Sequence, residues 1–406
     1  MTGPWWVRPG LEARDGRLRI AGRDAEELAR EHATPLYVYD LHRIEEQARR
    51  LQDALARASL RHRVRLALKA QRAPEALAVL RGLGPPGEPR SVGIDACSPR
   101  ELLLALEHGW RPEEISYTGT NVSDRDLEVV LAHPVHVNVD LLSQLERFGR
   151  RAPGRAVGLR VNPRAGAGGQ TYSGEQPTKF GIYDEDLDRA LEVARRHDLT
   201  IDTVHFHVGR AFLTDSLPGY ERAVIAAAAM ARRLVEAGMP IREVNVGGGL
   251  GVPQRAGDRP LDLDALAGML ARHLGPLDVV VACEPGDFLT KECGHLLAEV
   301  VTVEDRAGVT FVGVDAGFTV MPEHFIYGAP VEVVLCRAAE DPDTTFVTVA
   351  GNINEGDDLL AEDVPLPSVE EGDVLAMLNV GSYNAVMTME HCLRPPAASV
   401  FFTDRA

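Results

Sequence analysis

From Pro35 to about residue 285 the chain repeats one pattern: a short apolar run, a turn, then a helical stretch. The apolar runs fall near 63–69, 91–97, 114–119, 136–140, 156–162, 203–209, 241–248 and 277–284. Between most of them lie stretches such as Pro99–His108, Asp124–Leu131, Asp184–Arg196 and Tyr220–Ala237, whose apolar residues recur at three- and four-residue spacing. Eight strands alternating with helices point to a parallel α/β sheet. Closure into a (β/α)8 barrel of TIM type is the expected result, with a doubly wound open sheet as the competing arrangement. After about 286 the period changes to short alternating runs at 296–303, 309–314, 331–336, 345–350 and 374–379, separated by turn residues. The expected organisation is a barrel over 36–285 and a β-rich domain made from 1–35 and 286–406.

The strand ends carry unusual side chains: Lys69, Asp95, Gly119, Asp140, Arg160 with Asn162, His205 with His207, the run Gly247-Gly248-Gly249, and Glu284. In a barrel these ends converge on one face, where active sites are built. A lysine that ends a buried strand is costly unless it is used, because desolvation lowers an ammonium pKa and frees the amine as a nucleophile. By itself Lys69 also fits an ordinary surface lysine. The triple glycine exposes backbone N–H groups to an anion such as phosphate, or simply makes a tight turn. It does not form a convincing dinucleotide fingerprint.

Bulk properties narrow the partners. The net charge of −17 argues against nucleic acid and anionic membrane. No apolar run is long enough to cross a bilayer, and the first residues lack a basic stretch followed by an apolar one. Five scattered cysteines without a C-x-x-C pair suit a reducing cytoplasm and offer no recognisable metal site.

Seven motifs in one order are more specific than any of them alone. They are Ala67-Leu68-Lys69-Ala70, Arg160-Val161-Asn162-Pro163, Lys179-Phe180-Gly181, His205-Phe206-His207-Val208-Gly209, the triple glycine, Glu284-Pro285-Gly286 and Gly381-Ser382-Tyr383. That order resembles the fold-type III pyridoxal-phosphate decarboxylases, the group of diaminopimelate and ornithine decarboxylases, from about Pro35 to the C-terminus. The resemblance implies a Schiff base between Lys69 and pyridoxal 5'-phosphate, with His207 stacked on the ring. It implies Glu284 at the ring nitrogen, Arg160 at the phenolic oxygen, and Asp95 in the cofactor site. Gly247, Gly248, Gly249, Gly286 and Tyr383 would cradle the phosphate. It further implies a homodimer with shared sites, in which Asn354-Glu355-Gly356-Asp357-Asp358 reaches in from the second subunit and Lys179 pairs with Asp358 across the interface.

Four departures matter. The family's His-x-Gly-Ser becomes His207-Val208-Gly209-Arg210, and its Glu-Pro-Gly-Arg becomes Glu284-Pro285-Gly286-Asp287. Arg210 is therefore expected to supply the charge lost at Asp287. Asn354 stands where many members have a catalytic cysteine, and an amide cannot act as that general acid. Protonation would fall to Lys69, Tyr383 or water, or the outcome would differ. After Asp315-Ala316-Gly317 the diaminopimelate branch has Arg-Pro-x-x-Tyr, whereas this chain has Glu323-His324-Phe325-Ile326-Tyr327. The inverted sign at 323 makes diaminopimelate a poor expectation and favours a substrate with a distal amine, met by Glu323, Tyr327 and Glu355. Gln71 replaces an asparagine, a mild change. The resulting expectation is a cytoplasmic, homodimeric α-decarboxylase of another amino acid, free or attached to a carrier. An amino-acid racemase or epimerase on the same cofactor is the nearest rival, and a pyridoxal-phosphate binding protein without turnover the rival from another class.

Overall fold

The eight apolar runs form eight consecutive parallel strands that close into a barrel in a computed structural model: β1 His62–Ala67, β2 Val92–Ala96, β3 Ile115–Thr118, β4 His136–Val139, β5 Ala156–Arg160, β6 Thr200–His205, β7 Glu243–Asn245 and β8 Val280–Cys283. The structure describes residues 3–84, 88, 90–166, 173 and 177–406. Closure is set by β8 pairing with β1, where Val281, Ala282 and Cys283 face His62, Arg63 and Val64. The closed barrel, not the open sheet, is what forms.

The helices pack by their periodicity. In Leu187–Arg196 the buried positions are Leu187, Ala190, Leu191 and Ala194, one stripe of a 3.6-residue repeat. Helix Pro99–Glu107 starts because Ser98 accepts from the Glu101 N–H and Pro99 occupies a position that lacks an N–H partner in any case. Two polar clusters inside the barrel are closely paired. Arg65 donates to both oxygens of Glu243 at 2.7 and 3.0 Å, and Asn138 donates to Ser116 and Thr118 at 3.0 and 2.9 Å. Such pairing is what makes burial of these groups tolerable.

The chain divides into two compact units, one of Glu45–Val252 with Arg259–Leu289, which holds the barrel, and one of Met1–Ile44, Pro253–Asp258 and Thr290–Ala406. The second unit is mostly sheet. Its strands run in the order Glu332–Leu335, Val374–Leu378, Gly294–Arg306, Val309–Val314, Thr345–Ala350 and Leu359–Leu366. Leu36–Asp40 pairs antiparallel with Gly294–Arg306 and parallel with Ala398–Phe402. This corrects the limit drawn at residue 36. All five residues of Leu36–Asp40 are buried, so their apolar run could not distinguish a barrel strand from a strand paired on both edges. The N-terminal segment contributes strands Leu11–Arg14, Arg17–Ile20 and Arg23–Asp24 and helix Ala25–His32. Trp6, Leu18, Ile20 and Leu28 share one core with Leu36, Val38, Leu297 and Val334. No helix among the described residues is long and apolar enough to cross a membrane.

Candidate active site

Around the C-terminal end of the barrel strands the structure gathers most of the expected cofactor residues. Lys69 lies two residues past the end of β1, in a turn closed by the Ala70 N–H to the Ala67 carbonyl at 2.9 Å. Its side chain is exposed rather than buried, because the strand stops at Ala67 and the turn carries the amine out of the sheet. Lys69 Nζ is 3.5 Å from Cys97 Sγ, and that sulfur is 3.9 Å from Asp95 Oδ2 at the end of β2. Asp95 Oδ1 is buried without a hydrogen-bond partner among the described residues. Burial and then the charge of Glu284 push the Asp95 carboxyl well above the usual carboxylate range. Burial also raises the Cys97 thiol to about 12, which keeps it protonated at neutral pH.

Glu284 follows β8 and is 5% exposed. It accepts from Asn245 Nδ2 at 2.5 Å, and its other oxygen is 3.0 Å from His205 Nε2. Burial alone would raise its pKa. His205, Arg65 and Asn245 outweigh that and hold it at about 2, so the carboxylate stays ionised. Asn245 also accepts from the Gly247 N–H at 3.0 Å, tying the carboxylate's partner to the glycine turn. In that turn Gly249 has φ 91°, and a β-carbon there would run into the Gly209 carbonyl. Only glycine fits. The segment after His207 is stapled to the same turn, with Phe212 N–H to Gly249 O at 2.8 Å and Gly251 N–H to Phe212 O at 2.9 Å. Arg210 lies within this stapled segment. His207 is half-buried, and burial followed by the charge of Lys69 drives its pKa well below 6.5, so the ring is neutral. Arg160, buried at the end of β5, lies 4.0 Å from Asp140 Oδ2 and 4.4 Å from the centre of the Phe180 ring. Lys179 is exposed and lies 4.9 Å from the same ring. Gly286 is buried and precedes the short helix Asp287–Thr290.

The residues expected to read the substrate lie in the other unit. Glu323 is 4% exposed, and both its oxygens lie 2.5 Å from Lys291 Nζ. Tyr327 ends helix Pro322–Tyr327 and meets Tyr383 edge-on, with ring centres 6.3 Å apart. Asn354 and Glu355 lie exposed in a turn, with Glu355 2.8 Å from His391 Nε2. Asp358 is 3% exposed, and its carboxylate accepts from the backbone N–H groups of Phe318 and Ile353, each at 2.7 Å. That closes the 351–358 turn within its own unit. Sequence reasoning passed over His205 and Asn245 as partners of Glu284, and Cys97. The signal for the first two was present: a histidine and an asparagine at the last residues of consecutive strands.

This donor set fits pyridoxal phosphate. It offers an amine, a carboxylate kept ionised for a cationic ring nitrogen, and a glycine turn for a phosphate. Residues 41–291 match the family described as "Pyridoxal-dependent decarboxylase, pyridoxal binding domain". The chain belongs to that family. It is a carboxy-lyase acting on an amino acid, with pyridoxal phosphate as its cofactor. Along 97% of its length it is 37% identical to diaminopimelate decarboxylase of Methanothermobacter thermautotrophicus, covering 92% of that protein. It is 31% identical to diaminopimelate decarboxylase of Escherichia coli over 93% of this chain and 91% of that one. The structure of diaminopimelate decarboxylase from Helicobacter pylori complexed with L-lysine superposes with a TM-score of 0.84 at 26% identity, covering 93% of this chain and 94% of that one.

These likenesses overturn the expectation of a substrate other than diaminopimelate. That expectation rested on an inverted charge at position 323. The structure removes its basis, since Lys291 neutralises Glu323 inside the β-rich unit.

Proposed function

We propose that this enzyme removes the α-carboxylate of diaminopimelate to give lysine. The reading is carried by full-length similarity to two diaminopimelate decarboxylases, together with an ionised Glu284 at the barrel end that also carries Lys69.

Bound pyridoxal phosphate supplies an electron sink for the pair left behind when the carboxylate departs as carbon dioxide. Lys69 provides the amine that holds the cofactor's aldehyde carbon. Glu284, fixed by His205 and Asn245, keeps a proton on the ring nitrogen. A carboxylate and a cation about 4 Å apart attract by roughly 4 kcal/mol at an effective dielectric near 20, before desolvation costs. His207, neutral, offers a flat face to the ring without adding positive charge. Arg160 orients the phenolic oxygen, and Asp95 lies beside the amine. The glycine turn and Arg210 hold the phosphate, to which the family resemblance also assigns Gly286 and Tyr383. Asn354 positions rather than protonates, since its amide has no proton to give at neutral pH. Tyr327 and Glu355 contact the substrate. The protein works as a cytoplasmic homodimer in which the exposed turn of Asn354 and Glu355 serves the other subunit's site, and Lys179 lies at that interface.

Incubating the purified protein with pyridoxal phosphate and diaminopimelate should release carbon dioxide and lysine in equal amounts. Borohydride should fix the cofactor on a peptide containing Lys69, and Lys69→Ala should abolish both results while the melting temperature changes little. Cofactor uptake with no carbon dioxide from diaminopimelate would overturn the substrate assignment.

A further inference from the structure

The parallel register of the first two barrel strands brings together side chains that lie just past the strand ends. Ala67 pairs with Asp95, and the Leu68 N–H continues the ladder to the Asp95 carbonyl at 3.0 Å. Lys69 and Cys97, each two residues further along, therefore meet, and Lys69 Nζ donates to Cys97 Sγ at 3.5 Å. The thiol in turn donates to Asp95 Oδ2 at 3.9 Å, within the longer reach of sulfur. The Cys97 N–H donates to Glu101 Oε2 at 2.7 Å, which ties the backbone at 97 to the first turn of helix Pro99–Glu107. This chain of donors runs from an exposed amine to a carboxyl that is 2% exposed.

Asp95 is costly to bury as a carboxylate, because its Oδ1 has no hydrogen-bond partner among the described residues. Glu284 and Glu101 add negative charge around it, opposed by Lys69 and Arg65. The same two glutamates and Lys69 face Cys97, and His207 also faces Lys69. A carboxyl in this setting gains by taking up a proton, and the sulfur gives it a route to one. We propose that Cys97 is a proton bridge between Lys69 and Asp95, freeing the amine to act as a nucleophile and returning its proton when the amine leaves. An ammonium N–H breaks as a new S–H forms, while the original S–H breaks and an O–H forms on Asp95. Ammonium and carboxylate become amine and carboxylic acid, the thiol is regenerated, and no oxidation or reduction occurs. All three residues belong to the barrel unit. The proposal rests on the reading above, in which Lys69 holds the cofactor.

The test compares Cys97→Val, which keeps the bulk, with Cys97→Ser, whose hydroxyl both accepts and donates. The rate at which apoenzyme saturated with pyridoxal phosphate fixes it on Lys69 is read by quenching with borohydride across the pH range. At pH 7 Cys97→Val should be slower by about 100-fold, the low end of what a positioned base contributes. Its deficit should close toward about pH 10, where hydroxide removes the lysine proton unaided. Cys97→Ser should keep most of the wild-type rate, and added imidazole should speed Cys97→Val while leaving the wild type unchanged. Asp95→Asn should match Cys97→Val, and combining the two should cost no more than either alone. A Cys97→Val variant that equals the wild type, or is slowed by the same factor at every pH, overturns the proposal. An infrared measurement on the apoenzyme tests the bridge without cofactor. The S–H stretching band of Cys97, identified by its loss in Cys97→Val, should shift in both Lys69→Met and Asp95→Leu, and a band that moves in neither overturns the proposal. A wild type that fixes no cofactor on Lys69 at any pH refutes the assigned function instead, and the infrared result then decides the bridge.

Discussion

Two buried glutamates, one in each unit, show how the same side chain serves opposite ends. Glu284 in the barrel unit is held ionised by His205, Asn245 and the more distant Arg65, three groups that come from three different strands. Glu323 in the β-rich unit faces an ammonium directly. The first is a charge kept for a partner that the chain does not supply. The second is a charge already spent within the fold. Burial and residue type are nearly equal at the two positions, so the partners decide the role.

The largest test of this contrast exchanges each carboxylate for its amide. Glu284→Gln keeps the shape but cannot hold a proton on a ring nitrogen. The turnover number should fall on the order of 1000-fold, the scale of losing a preorganised electrostatic group, with a smaller change in melting temperature. Glu323→Gln should do the reverse, lowering stability by about 3–5 kcal/mol because the buried Lys291 ammonium loses the negative charge it faces. Urea unfolding beside steady-state kinetics on both variants reads the two effects. Equal loss of turnover in the two would erase the distinction.

That contrast also marks where sequence reading reaches its end. The barrel was legible because strand and helix periods alternate regularly and because Lys69, His207 and Glu284 lie at or just past strand ends, where a single rule places function. Glu323 was read as facing substrate because its sign was visible and its neighbour was not. Lys291 is 32 positions away and joins it only through the fold. The partners of Asp358 were hidden in the same way, since the N–H groups that engage it belong to Phe318 and Ile353, one of them 40 positions distant. Cys97 escaped notice because nothing along the chain tells a buried structural thiol from one that ends a strand beside Lys69. Backbone periodicity is local and survives in one dimension. Charge compensation is not local.

The two units also share a feature that sharpens the comparison under acid. Each contains a histidine held neutral by burial, His207 in the barrel unit and His295 in the β-rich unit. Their folded pKa values lie below the unfolded value near 6.5, so the unfolded state binds the additional proton. Stability is therefore complete above about pH 6.5 and is lost as the pH falls below it, by about 1.4 kcal/mol per pH unit for each histidine. Urea unfolding of the apoenzyme between pH 7 and pH 5 should show this slope, and His295→Gln should remove the share of the β-rich unit. Because the raised carboxyl of Asp95 contributes a slope of opposite sign, the decisive reading is the difference between wild type and variant, and a His295→Gln variant with the wild-type slope would show that this ring is not held neutral.

The smallest expected effect concerns Arg210, where the barrel unit departs from its family. Gly249 can approach Gly209 closely because neither carries a β-carbon, and two backbone hydrogen bonds then hold Phe212 along the glycine turn. Arg210 is consequently anchored at the backbone beside the turn assigned to the phosphate. Asp287 at the start of the following helix would repel a phosphate if left uncompensated, and a charge-assisted hydrogen bond from an arginine is worth about 1.5–3 kcal/mol. Arg210→Ala should therefore weaken pyridoxal phosphate binding about tenfold, and the loss should shrink in an Asp287→Asn background, where less negative charge must be offset. Equal losses in both backgrounds would show that Arg210 acts independently of Asp287, and unchanged affinity would remove Arg210 from the site. The contribution of Arg210 should diminish as ionic strength rises, because salt screens a charge–charge attraction. Titrating the variant and the wild type at low and high salt reads that charged contribution directly.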